Sequence, residues 1–142
     1  METNELHRGR LIDHVQLVVA DIVASRRFYE AIFAVLDISL GGFAEDYFWA
    51  DELFVSTADS TAAQGKLTGR HHLAFQARDR ETVDRFHAAG LAQGGRDNGA
   101  PGVRDYHPGY YAAFLLDPDG NNIEAVFHGE AIRSSDSVKI TF

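Results

Sequence analysis

Cysteine is absent from the 142 residues. That excludes disulfide frameworks, thiolate zinc sites and cysteine nucleophiles together, so any metal must be held by His and carboxylate ligands. Positive charge is scarce: 13 Lys and Arg stand against 21 Asp and Glu, a formal charge of −8 with His neutral, and the pI is near 5.2. Such a balance argues against a phosphate backbone as partner, and nucleic acid is excluded on that ground. No apolar run reaches the roughly 18 residues of a membrane span, and the opening METNELHRGR lacks the apolar core of a secretory signal. The expectation is a cytoplasmic protein with no membrane partner. The stretch from Gln93 to Gly109 is rich in Gly and Pro but carries neither glycine-rich nucleotide motif, and it reads as a plain connection.

What is present is a repeat. The segment HVQLVVADIVASRRFYEA from His14 aligns without a gap on HLAFQARDRETVDRFHAA from His72, at a constant offset of 58 residues. His14 matches His72, Asp21 matches Asp79, Phe28 matches Phe86 and Ala31 matches Ala89. A unit of this length is too long for a solenoid repeat, and two copies nearly fill the chain, as in a duplicated half-domain.

Each copy opens with a β-rich run, then an Asp at a helix N-cap position, then apolar residues at helical spacing. In the first helix Phe28, Ala31, Ile32, Val35 and Leu36 mark one buried face; in the second, Val83 and Phe86 do so, with Gly90 read as the C-terminal stop. Strand-like runs follow at Ile38–Leu40, Tyr47–Ala50 and Leu53–Thr57, and again at Val103–Tyr106, Tyr110–Leu116 and Asn122–Phe127. Asp117-Pro118-Asp119-Gly120 suits a type I turn and predicts a hairpin there. The fold class expected is α+β. One domain, residues 1–142, is divided into a module of about 11–58, a module of about 70–128 and a short tail ending in VKITF, suited to an edge strand or a partner contact.

Alternation along a strand places His14 with Gln16 and Val18 on one face, and His72 with Ala74 and Gln76 on the equivalent face. A face mixing His, Gln and small apolar residues suits the wall of a ligand site. Glu124 lies among Ile123, Ala125, Val126 and Phe127, unusual company for a surface carboxylate. Two imidazoles and a carboxylate bind a divalent ion with positions left open, which suits iron, manganese, nickel or zinc. His14, His72 and Glu124 are therefore the candidate metal ligands, against the competing reading of hydrogen-bonded structural side chains. His71, next to His72, points to the opposite face.

The segments HVQLVVAD, ASRRFYEAIF, HLAF and LLDPDGNNIE together resemble the vicinal oxygen chelate superfamily, the glyoxalase, bleomycin resistance and extradiol dioxygenase group. The resemblance spans about Leu11 to His128. It implies two paired βαβββ modules forming a cupped mixed sheet with helices on the outer face, a homodimer, and metal positions at His14, His72 and Glu124. The fourth ligand position of glyoxalase I aligns with about Phe54, which cannot bind metal; Glu52 is its nearest substitute. Extradiol dioxygenases keep the two-His, one-Glu set and add a Tyr where this chain has Phe114. Tyr110, of the same strand parity, and His107 are the candidate catalytic residues, and Arg104 lies near them. The function implied is a divalent-metal enzyme, a lyase, isomerase or dioxygenase, whose small-molecule substrate chelates through neighbouring oxygens. The alternative is a metal-free, ligand-sequestering protein of the bleomycin-resistance type, which the negative charge would suit if the ligand were cationic.

Overall fold

The computed structural model describes residues 3, 5–10, 12–60, 67 and 69–141, so Leu11 and Phe142, the outer bounds of the first module and the tail, lie outside the described residues. The chain forms two compact units, one of Met1–Val23, Ile38–Thr68 and Arg133–Phe142, the other of Ala24–Asp37 and Gly69–Ile132.

The first unit holds a four-stranded mixed sheet of β2 (Val15–Val19), β5 (Leu53–Thr57), β4 (Tyr47–Ala50) and β3 (Gly42–Phe43), in that order. Strand β2 runs parallel to β5, and the other pairs are antiparallel. Strands β4 and β5 form where the sequence predicts them. Strand β3 lies beyond the expected Ile38–Leu40, where Gly41 passes so close to Trp49 that a Cβ would stand 2.3 Å from its ring. A separate antiparallel ribbon pairs β1 (Glu5–Arg8) with β10 (Val138–Thr141), so the tail is a strand whose partner comes from the start of the chain.

The second unit repeats the strand order: β6 (His72–Gln76), β9 (Asn122–Phe127), β8 (Tyr111–Leu116) and β7 (Arg96–Val103), with β6 parallel to β9. The duplication in sequence is thus a duplication of topology. Strand β7 occupies much of the stretch read as a connection. Its glycines break the alternation by which strands are recognised, and its pairing with β8 shifts register around Gly99.

Both helices contribute to this second unit. In α1 (Ile22–Val35) the buried side chains are Ser25, Phe28, Tyr29, Ile32 and Phe33, so the face is rotated from the expected one and Ala31, Val35 and Leu36 are only half-buried. Phe33 meets Phe75 of β6 edge to face at 5.3 Å, and the Tyr29 hydroxyl donates to Asp117 at 2.6 Å. The same buried carboxylate accepts from the backbone N–H groups of Asp119 and Asn121 and from the Asn121 amide, so the predicted turn is also the anchor of α1. Helix α2 (Arg80–Ala92) begins as expected, with Asp79 accepting from the Thr82 backbone N–H at 2.7 Å. Gly90 does not stop it. It is buried inside the helix, where a Cβ would stand 2.2 Å from Leu115, and the left-handed residue past the helix end is Gly94.

Candidate functional site

Strand parity divides the second sheet into two faces. Phe75 and Leu115 meet the helices, and Tyr111 donates to Asp84 of α2, so their neighbours His72, Ala74, Glu124 and Phe114 lie on the opposite face. The register sets Glu124 directly between Ala74 and Phe114. On this face the His72 Nε2–H donates to Glu124 Oε1 at 2.8 Å, since an ionised carboxylate can only accept. The Tyr110 hydroxyl donates to Glu124 Oε2. The Glu124 side chain is 3% exposed and that of His72 53%, so the carboxylate is buried and the imidazole opens outward. Burying a carboxylate is costly unless its oxygens are satisfied, and these two donors satisfy them.

Tyr110 holds its proton firmly. Burial, then the hydrogen bond and the negative charge of Glu124, push its phenol up to about 12, partly opposed by the Arg104 guanidinium. Its ring packs edge to face against His107 at 5.2 Å, and its backbone N–H donates to the His107 carbonyl. His107 does not itself bond to Glu124 or His72 in this structure. Its Nδ1–H donates to the Pro108 carbonyl, so when neutral its Nε2 accepts from His128 Nδ1–H at 2.8 Å. His128 was not anticipated. It has the parity of Glu124 four residues on, a signal that alternation carries but that falls just past the end of β9.

In the first unit, His14 stands just before β2, exposed, with Nδ1–H donating to Asp13 at 2.7 Å. A carboxylate on Nδ1 leaves Nε2 as the basic nitrogen, the arrangement common behind metal-binding histidines. Gln16 pairs with Phe54 just as Ala74, 58 residues later, pairs with Glu124. Phe54 therefore holds the Glu124 register in the first repeat, where it stacks on Tyr47 at 5.4 Å. Glu52, in the turn before β5, packs against the Gly9 backbone, and its half-burial pushes its carboxyl pKa up. His71 is exposed, and its backbone N–H donates to Asn121.

The donor chemistry fits a divalent transition ion. His72 offers an imidazole nitrogen and Glu124 a buried carboxylate oxygen, donor types that such ions take. Among the described residues, no three His, Asp or Glu side chains converge as a ready-made site.

The pattern of the Glyoxalase/Bleomycin resistance protein/Dioxygenase superfamily matches residues 11–125. The chain belongs to that superfamily. Among solved structures, a glyoxalase/bleomycin resistance protein from Albidiferax ferrireducens T118 is 33% identical, with 82% of this chain and 97% of that one covered and a TM-score of 0.65. A glyoxalase/bleomycin resistance protein/dioxygenase family enzyme from Burkholderia phytofirmans PsJN is 23% identical over 80% of this chain and 95% of that one, with a TM-score of 0.64. Lactoylglutathione lyase from Agrobacterium tumefaciens, 20% identical over 82% of this chain and 92% of that one, shares the fold with a TM-score of 0.58. No curated protein matches significantly. Superfamily membership accounts for the repeated strand order, in which β2 and β6 each run parallel to the last sheet strand of their own repeat. Phe54 holds the register position of Glu124 in the first repeat and offers no donor to a metal.

Proposed function

We propose that this superfamily member is a divalent-metal enzyme acting on a small molecule that binds through two neighbouring oxygens. His72 and Glu124 are ligands of the ion, and the repeat, which matches His14 to His72, is what supports His14 as a further one; iron, manganese, nickel and zinc all suit such donors. The observation that carries the reading is the buried Glu124 carboxylate facing the His72 imidazole at 2.8 Å. A bound divalent ion would supply Lewis acidity toward a substrate oxygen. The chain's own groups do the rest. Tyr110 keeps its phenolic proton at neutral pH and holds Glu124 in one orientation. The His107–His128 pair abuts the Tyr110 ring and supplies an exposed imidazole for proton transfer next to it. The protein acts as a homodimer in the cytoplasm.

The test is elemental analysis of protein purified without chelators. Stoichiometric transition metal is expected, with loss of it in His72→Ala while circular dichroism stays native. Retention of full metal in that variant would overturn the ligand assignment. A second reading has one observation in its favour: His72, Glu124 and Tyr110 already satisfy one another by hydrogen bonds, as a metal-free ligand-binding protein would require. Wild-type protein free of transition metal, and unable to take it up, would favour that reading.

A further inference from the structure

Arg104 follows β7 with its guanidinium carbon 5.4 Å from the centre of the Phe114 ring, and the His72 ring lies 6.1 Å from that same centre. Phe114 is the register partner of Glu124. A cation and the His72 imidazole of the His72–Glu124–Tyr110 network therefore both pack near one aromatic ring.

The guanidinium is held in place. Its terminal nitrogens donate to the carbonyls of Ala100 at 2.7 Å and Val103 at 3.4 Å, and its backbone N–H donates to the Tyr110 carbonyl at 2.9 Å. Two glycines make room for it: a Cβ on Gly102 would stand 2.9 Å from one terminal nitrogen, and one on Gly99 would stand 3.3 Å from the other. No carboxylate pairs with it among the described residues, and its charge rests on two carbonyls and an aromatic face. A guanidinium has five N–H donors in a planar fork that matches a carboxylate, and a pre-ordered one loses little entropy on binding.

We propose that Arg104 recognises a carboxylate on the substrate, so that the site takes a small organic acid that also carries vicinal oxygens. A protein of this negative charge repels anions at long range, so a local cation is needed for an acid to be preferred. The proposal rests on the metal-site reading only for where the vicinal oxygens go; the anion preference belongs to Arg104 alone.

The test titrates protocatechuate and catechol, which differ by one carboxylate, into metal-stripped and zinc-loaded protein by calorimetry. Wild type is expected to bind the acid roughly tenfold more tightly than the neutral probe in both forms, a typical effect of one charge-assisted fork. The ratio should collapse toward unity in Arg104→Met and be partly kept in Arg104→Lys, which retains the charge without the fork. No preference in wild type, no detectable binding of the acid, or an undiminished ratio in both variants overturns the proposal. Zinc should tighten both probes alike. Loss of that gain alone, with the acid preference intact, sinks the metal reading and leaves Arg104 standing.

Discussion

Tyr110 shows how one side chain's environment becomes measurable. Its phenol, near 10 when free, is pushed up to about 12 by burial and by Glu124. A folded-state value above the unfolded one means that the stability it contributes is complete below about pH 10 and is lost as pH rises toward 12. Tyr29, raised by burial and by Asp117, acts in the same direction, so the comparison must be made against Tyr110→Phe. Wild type should lose more unfolding free energy than Tyr110→Phe between pH 10 and 12, read from urea midpoints; parallel profiles would show that the bond to Glu124 is not made in solution. At this scale much was legible in advance. The repeat marked His72, apolar neighbours marked Glu124, and strand parity with Phe114 marked Tyr110, because each depends only on nearby residues. The His107–His128 pair was not legible, since it joins a loop residue to the end of a strand through a contact that no spacing encodes.

At the level of elements, the strands with clean alternation or a strong turn appear where expected, among them β4, β5 and β9, and the hairpin at Asp117–Gly120 closes as predicted, with the Gly120 N–H donating to the Asp117 carbonyl at 3.0 Å. The departures have packing causes. Helix α1 turns Tyr29 and Phe33 inward because Asp117 and Phe75 offer them partners. Gly90 looks like a helix stop, but its lack of a side chain serves close packing against Leu115, Ile32 and Phe28. An exposed helical Gly→Ala change gains about 1 kcal/mol of helix propensity, whereas overpacking a core costs about 1–3 kcal/mol. Gly90→Ala, whose Cβ would stand 2.2 Å from Leu115, should therefore destabilise by up to ~2 kcal/mol net, seen as a lower denaturant midpoint with unchanged slope. A raised midpoint would mean that Leu115 yields without cost.

For the whole molecule, ion binding and folding are linked. If His72 and Glu124 bind a divalent ion only when folded, zinc at a hundred times its Kd should add about 2.7 kcal/mol of stability. A rise in Tm on adding zinc, reversed by a chelator and absent in Glu124→Gln, is the expected result; an equal rise in that variant would place the ion elsewhere. Duplication and strand parity were enough to set the α+β class and the face that carries His72, because each follows from residue type and local period, while the superfamily came from the likeness of four segments, HVQLVVAD, ASRRFYEAIF, HLAF and LLDPDGNNIE. Tertiary structure alone decided that α1 clusters with the second sheet, that Phe54 holds the register of Glu124, and that Arg104, with no carboxylate partner among the described residues, lies fixed over Phe114. Those facts depend on strand register and on which distant side chains meet, and neither is written in the spacing of neighbours along the chain.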